Sequence, residues 1–294
     1  MLDVSSLKSW LFVPGDSERK IGRSTAAGAD ALILDLEDSV PVDNKASARG
    51  TVARAIERFR SEGRGEAVVV RLNALPTGLT MQDIAETLPA GPDGYVLPKV
   101  RGLADLHVVS EMLEGLGASE KVALLPIATE VPAAIFRLEE IARGPRVRGL
   151  IWGVEDLGAE MAARRTRAPD GRLLAPFEMV RSLCLFAASA AGTSAIDSPY
   201  VDIADLAGLE REAREASWVG FTGKLAIHPS QVAVINRVFL PSDEEQDWAR
   251  TILAIAEDTG AAAFRHEGKM VDTPHLAAAR RLLARVAQAQ KPAT

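Results

Sequence analysis

Short apolar runs recur along the chain, each closed by a polar or charged cluster and followed by a stretch with helical spacing. They occupy residues 10–13, 31–36, 67–72, 94–97, 122–127, 149–152, 193–196 and, less regularly, 221–227. None alternates apolar with polar, so each predicts a strand covered on both faces. Between them, residues 46–60 set Ala48, Val52, Ala55, Ile56 and Phe59 on one side, with Arg and Glu opposite. Residues 104–116, 132–142, 178–191 and 206–216 repeat that spacing and predict helices. Eight strand–helix units over residues 1–240 predict an α/β fold, a (β/α)8 barrel. An open doubly wound sheet is the alternative. Its glycine-rich phosphate turn is missing, because the first turn reads Val13-Pro14-Gly15-Asp16-Ser17.

After Pro241 the rhythm stops. Ser242 reads as the N-cap of a helix over 242–258, with acids in its first turn and Trp248, Ile252 and Ile255 behind. The Gly-punctuated stretch 260–274 has room for a short hairpin, and a helix rich in Ala, Leu and Arg follows from His275 to about residue 288. Residues 241–294 are therefore read as a C-terminal arm. It is too small to bury much core alone, and is expected to pack on its own barrel or on a neighbouring subunit.

Composition narrows the function. Hydrophobic residues at 47% and charged residues at 25% exclude wholesale disorder. Thirty-four Lys and Arg against 40 Asp and Glu give a net charge of −6, which argues against nucleic acid or an anionic membrane as partner. The single cysteine, Cys184, excludes an internal disulfide and suits a reducing cytoplasm. No apolar run approaches the ~20 residues of a membrane helix, and residues 10–13 are too short for a signal-peptide core. The expectation is a soluble cytoplasmic protein.

A barrel builds its site at the C-terminal strand ends. Those positions hold Asp35, Glu37 and Asp38, then Arg71 and Asn73, Pro98 and Lys99, Thr129 and Glu130, Glu155 and Asp156, Asp197, and His228. Several carboxylates sharing one mouth repel each other unless protons or a cation intervene. With oxygen ligands and no zinc spacing among His107, His228, His266 and His275, the cation would be hard, Mg²⁺ before Mn²⁺ or Ca²⁺. Such a site suits chelation of a 2-oxo acid, with an Arg holding a developing enolate oxygen. Carbon–carbon bond chemistry beside a carbonyl is one reading among several at this level.

Particular stretches add to that reading. They are 9–16 (SWLFVPGD), 28–41 (GADALILDLEDSVP), 45–49 (KASAR), Val70-Arg71-Leu72-Asn73, Leu97-Pro98-Lys99-Val100 and 126–133 (PIATEVPA). Trp152-Gly153-Val154-Glu155-Asp156, 223–231 (GKLAIHPSQ) and 268–274 (GKMVDTP) follow in order. Over nearly the whole chain this resembles the citrate lyase β-subunit-like family of the HpcH/HpaI aldolase/citrate lyase superfamily. The resemblance implies a TIM barrel and a Mg²⁺-dependent lyase that cleaves or forms a short β-hydroxyacyl-CoA, such as malyl-, methylmalyl- or citramalyl-CoA. It makes Glu130 and Asp156 the metal ligands and Arg71 the binder of the thioester or enolate oxygen. It gives the backbone of Gly153, Val154 and Glu155 the oxo-acid carboxylate, and Asp38 the orientation of a water on the metal. Asp272, in a tail motif found in the longer CoA-using members, would be a general acid or base reaching a neighbouring subunit, in a homotrimer or a dimer of trimers. Coenzyme A enters as part of the substrate. The usual Glu-Thr-Pro is here Glu130-Val131-Pro132, which alters the grip on the substrate's carboxylate end. A malyl-CoA-type thioesterase on the same site is the nearest alternative, and a silent lyase-like subunit binding an acyl carrier is a second.

Each residue also has a plainer reading. Glu130 and Asp156 suit helix N-termini. Glu37 is as suited to holding Arg71 as to touching substrate, and Asp35 reads as a structural strand-end acid. Lys20, Lys45 and Arg49 read either as solvated surface or as contacts for CoA phosphates. Asp272 before a Pro suits a helix cap. Cys184 reads as core and His228 as structural.

Overall fold

The computed structural model describes residues 2–289. Its eight-stranded sheet runs β1 (Ser9–Pro14), β2 (Ala31–Asp35), β3 (Ala67–Arg71), β4 (Gly94–Leu97), β5 (Ala123–Pro126), β6 (Gly149–Ile151), β7 (Ser194–Asp197) and β8 (Gly223–Ala226). The spatial order β5-β4-β3-β2-β1-β8-β7-β6 is parallel throughout. Single bridges, Leu124 to Val147 and Ile127 to Ile151, bring β5 to β6 and all but close a TIM barrel. Every apolar run predicted as a strand is one.

Strand phase positions the site. Ala31, Ile33, Val69, Val96, Leu125, Ile151, Ile196 and Leu225 fill the barrel interior. Alternate residues share a face, so the phase of Ala31 and Ile33 carries Asp35 to the mouth, and that of Val69 carries Arg71 there. The two are register partners. Gly15 closes the first turn beside them. Its N–H donates to the Asp35 carbonyl at 2.8 Å, and a Cβ there would lie 2.5 Å from that oxygen.

Helices Lys45–Ser61, Leu103–Gly115, Ala175–Ala191 and Leu206–Val219 answer the predicted ones. The segment 132–142 does not form one helix. It splits into Pro132–Ile135 and Leu138–Ala142, with Arg137 at φ −130° and ψ 15° between them. The Arg137 N–H closes a tight turn onto Ala134, and its side chain lies against the backbone of Gly102 on the β4 loop. Short helices Glu18–Ser24, Thr80–Thr87, Glu155–Glu160 and Pro229–Val238 were not legible as periodic segments.

The chain divides into two compact units after Asn236, four residues before the predicted boundary. In the second, Ser242 caps helix Asp243–Thr259 through a reciprocal capping box with Glu245. The antiparallel strands β9 (Ala263–His266) and β10 (Lys269–Asp272) follow, then helix Thr273–Ala289. Glu267 and Gly268, at φ 48° and 79°, make the two-residue hairpin turn. The unit has a small core of its own, Ala249, Ile252, Val271, Leu276 and Ala279, more than its length suggested. Among the described residues no helix is long and apolar enough to cross a membrane.

Candidate active site

Asp35 anchors the mouth. Its carboxylate accepts Arg71 Nε and Nη2 at 2.7 Å each and the N–H groups of Glu37 and Ser39 at 2.9 and 3.1 Å. Burial opposes its ionisation, but Arg71 and these donors hold its carboxyl below the usual range. Arg71, stacked over the Phe12 ring at 4.8 Å, keeps its charge more firmly than a free guanidinium because Asp35, Glu37 and Glu130 outweigh its desolvation. Its Nη1 lies 3.0 Å from Glu37 Oε2, yet that oxygen, buried, completes no directed hydrogen bond. Burial of Glu37 outweighs Arg71 and Lys99 and pushes its carboxyl upward.

Lys99 crosses the mouth from the end of β4. Its Nζ reaches Glu37 Oε1 at 2.7 Å, Asp38 Oδ2 at 3.2 Å and Asp156 Oδ1 at 3.3 Å. Its backbone is left-handed, φ 53°, and its N–H donates to Glu130 Oε2 at 2.6 Å. Glu130 is 4% exposed. Burial, with the charges of Asp156 and Glu37 added to it, pushes its carboxyl up to about 8 against the relief from the Lys99 N–H and Arg71. Space for Glu130 depends on Gly153, where a Cβ would lie 2.9 Å from Glu130 Cγ. Thr129 ties the β5 and β6 loops together, its hydroxyl accepting the Gly153 N–H at 2.8 Å and donating to the Gly153 carbonyl at 3.1 Å.

Among the described residues no three His, Cys, Asp or Glu side chains form a ready-made metal cage. The position between Glu37, Asp38 and Asp156 is taken by the Lys99 ammonium. The residues nevertheless fit a hard cation. The donors are carboxylate oxygens, Glu130 is buried with no ion pair among the described residues, and Glu37 Oε2, though 3.0 Å from Arg71, completes no hydrogen bond. Mg²⁺ uses one or two carboxylates and completes its shell with water and substrate.

The structure therefore brings Glu37, Asp38, Arg71, Glu130 and Asp156 to one mouth. The other residues singled out in the sequence are placed as follows. The Gly153 N–H donates to the Thr129 hydroxyl, and Val154 and Glu155 stand at the start of helix Glu155–Glu160. Arg49 is no phosphate contact: it is buried, its Nε paired with Asp83 at 2.7 Å, and Asp83 also accepts both N–H groups of Asn73. Lys45 directs its ammonium at the carbonyls of Leu36 and Glu37, at 2.9 and 3.0 Å, and so holds the acidic turn in shape. Lys20 is exposed on helix Glu18–Ser24. Asp272 belongs to the second unit, where its carboxylate meets His275 Nδ1 at 2.6 Å. Cys184 is core, its thiol pushed up by burial. The sequence reading missed the hub role of Lys99, although it placed that residue at a strand end. Nothing in it pointed to Asp83, on one of the helices without periodicity.

Comparison with known proteins follows the same lines. Residues 8–229 match the model of the HpcH/HpaI aldolase/citrate lyase family, and residues 178–289 that of the C–C bond lyases of the TIM-barrel fold. The mitochondrial citramalyl-CoA lyase of Mus musculus is 33% identical over 93% of this chain and 84% of its own. The (3S)-malyl-CoA thioesterase of Cereibacter sphaeroides is 33% identical over 95% of this chain and 94% of its own. The crystal structure of CitE from Mycobacterium tuberculosis, in complex with magnesium, acetoacetate and coenzyme A, superposes with a TM-score of 0.82. It is 34% identical, covering 96% of this chain and 99% of that one.

Proposed function

The chain belongs to the HpcH/HpaI aldolase/citrate lyase family, and from that premise we propose that it cleaves or forms a short β-hydroxyacyl-CoA. Candidate substrates are malyl-, methylmalyl- and citramalyl-CoA, each yielding an acyl-CoA and a 2-oxo acid. The observation that carries this reading is the clamped guanidinium of Arg71 beside Glu130, a buried carboxylate with no ion pair among the described residues. Glu130 and Asp156 would hold Mg²⁺, or Mn²⁺ in its place, as the magnesium in the CitE crystal structure supports. When bound, such an ion supplies Lewis acidity toward a hydroxyl or carbonyl oxygen.

The chain's own groups account for the remainder. A guanidinium has five N–H donors, and Arg71 directs two of them at Asp35. Asp35 thereby fixes the plane in which the others are offered. As the carbon–carbon bond breaks, its electron pair passes to the acyl-CoA methylene carbon and into the thioester carbonyl. Arg71 donates to the oxygen where that charge collects. The hydroxyl gives its proton to the water that Asp38 orients and becomes the carbonyl of the 2-oxo acid. The methylene carbon takes a proton from Asp272. Asp38, at the exposed rim, orients a water, and Lys20 is a contact for CoA phosphates.

In this reading the arm supplies Asp272 to a neighbouring copy, within a homotrimer or a dimer of trimers in the cytoplasm. Exposed Met179, Leu183 and Phe186 on one stripe of helix Ala175–Ala191, with Phe136 91% exposed, support burial of apolar surface between copies. Mixed oligomers of Asp272→Asn and Glu130→Gln chains, each inactive alone, should recover part of the activity. Mixed oligomers as dead as their parents remove the arm from the mechanism.

The deciding experiment incubates the protein with Mg²⁺ and the three candidate thioesters and separates the products. Acetyl- or propionyl-CoA with glyoxylate or pyruvate is the expected result. Free CoA with the intact hydroxy acid would instead assign a thioesterase, the activity named for the Cereibacter relative. No turnover of any of them leaves the silent, carrier-binding subunit.

A further inference from the structure

Of the five carboxylates around the mouth, Lys99 touches every one except Asp35. Its ammonium takes Glu37, Asp38 and Asp156, and its backbone N–H takes Glu130. One residue thus grips both carboxylates assigned to the metal, one by its side chain and one by its main chain. We propose that Lys99 is the built-in counter-ion of this mouth, holding its carboxylates together without metal and competing with the divalent cation for Asp156. The proposal rests on the reading of Glu130 and Asp156 as metal ligands.

Three observations carry it. A non-glycine residue at φ 53° is held there against its preference. What the conformation achieves is the N–H contact to Glu130 together with a side chain laid across the mouth. The three ammonium contacts are unequal, with Glu37 at 2.7 Å nearest and Asp38 and Asp156 at 3.2 and 3.3 Å, so Asp156 can be released while Glu37 is kept. The lysine stem is flexible and 32% exposed, which lets the ammonium give up Asp156 and keep Glu37. A positive charge that stays this close also repels an incoming cation. Lys99 therefore acts as a positioning residue that sets cation affinity downward.

The test reads metal binding directly, on the full chain and without substrate. Mn²⁺ is titrated into the wild-type protein and the Lys99→Met and Glu130→Gln variants, with free Mn²⁺ followed by its electron paramagnetic resonance signal. Lys99→Met should bind Mn²⁺ about tenfold more tightly than wild type, or better, because a unit charge a few ångströms away is removed. It should melt lower than wild type in chelator, with saturating Mn²⁺ closing the gap. If Lys99→Met does not fold, Lys99→Asn replaces it, since Asn accepts left-handed backbone. A folded Lys99 variant that binds Mn²⁺ no better than wild type overturns the proposal. When that result comes with weakened binding in Glu130→Gln, only the role of Lys99 falls. If neither wild type nor Lys99→Met binds Mn²⁺, the metal reading falls and takes the proposal with it.

Discussion

Two clusters of charge stand at strand ends of the same barrel and are built in opposite ways. Beside β7 and β8, Asp197 accepts Arg181 at 2.9 and 3.1 Å, Lys224 at 2.6 Å and the Trp152 indole at 2.7 Å. Lys224, fully buried, also reaches Glu212 at 2.9 Å and the Ser198 carbonyl at 2.7 Å, and Glu212 pairs with Arg167. Two carboxylates there face three cations. At the mouth five carboxylates face two, Arg71 and Lys99. The titration follows the balance. Burial resists the ionisation of Asp197 and Glu212, but their cations hold both below the usual range. At the mouth burial wins at Glu37 and Glu130. A compensated cluster is finished as structure. A cluster left with surplus carboxylate is suited to take up a cation, and that difference supports the proposed site more than burial alone does.

The comparison breaks most visibly at Asp197. Asp197→Ala would strand Lys224 and Arg181 without their carboxylate, and orphaning a buried charge costs about 3–5 kcal/mol. The melting temperature should fall by roughly 10 °C for a domain of this size. A melt within a degree or two of wild type would show that the cluster relaxes freely and is no clamp. Because Asp197 lies outside the carboxylates of the mouth, the folded fraction should keep its turnover.

How much of this was legible beforehand differs between the two clusters. The barrel itself was readable because a parallel strand covered on both faces is a continuous apolar run, and all eight runs show it. The mouth was readable in part, because a charge just after such a run has few places to go. That logic found Asp35, Glu37, Arg71, Glu130 and Asp156. It did not reveal that the Asp35 fork takes most of Arg71, or that Lys99 joins four carboxylates, since both depend on cross-barrel distances. The β7–β8 cluster was invisible as a unit. Lys224 sits inside a strand, Arg181 and Glu212 lie on different helices, and Asp197 read as one more strand-end acid. Arg49 failed for a related reason, because its partner Asp83 lies on a short helix with no periodicity to announce it.

A smaller effect sharpens the same contrast through pH. Glu130 has an ordinary value of 4.5, raised by burial to about 8. Between those values the folded chain holds a proton that the unfolded chain has released. The stability linked to Glu130 is therefore fully present below about pH 4.5 and is lost as pH rises through about 8. In chelator, Glu130→Gln removes that loss, so its advantage over wild type should grow by roughly 4 kcal/mol between pH 5 and pH 9. Asp197→Asn should show no such trend over the same interval, because a depressed carboxyl loses its contribution only as pH falls toward the acid range. Added Mg²⁺ should reverse the sign for Glu130 alone, stabilising wild type over Glu130→Gln at pH 8 and above, where the carboxylate is charged and ready to bind. Denaturant melts at pH 5, 7 and 9, with chelator and with Mg²⁺, give all of these differences. If wild type and Glu130→Gln keep a constant difference across pH in chelator, Glu130 is ionised in the metal-free mouth. The surplus of carboxylate would then be carried by Glu37, whose burial raises it in the same direction.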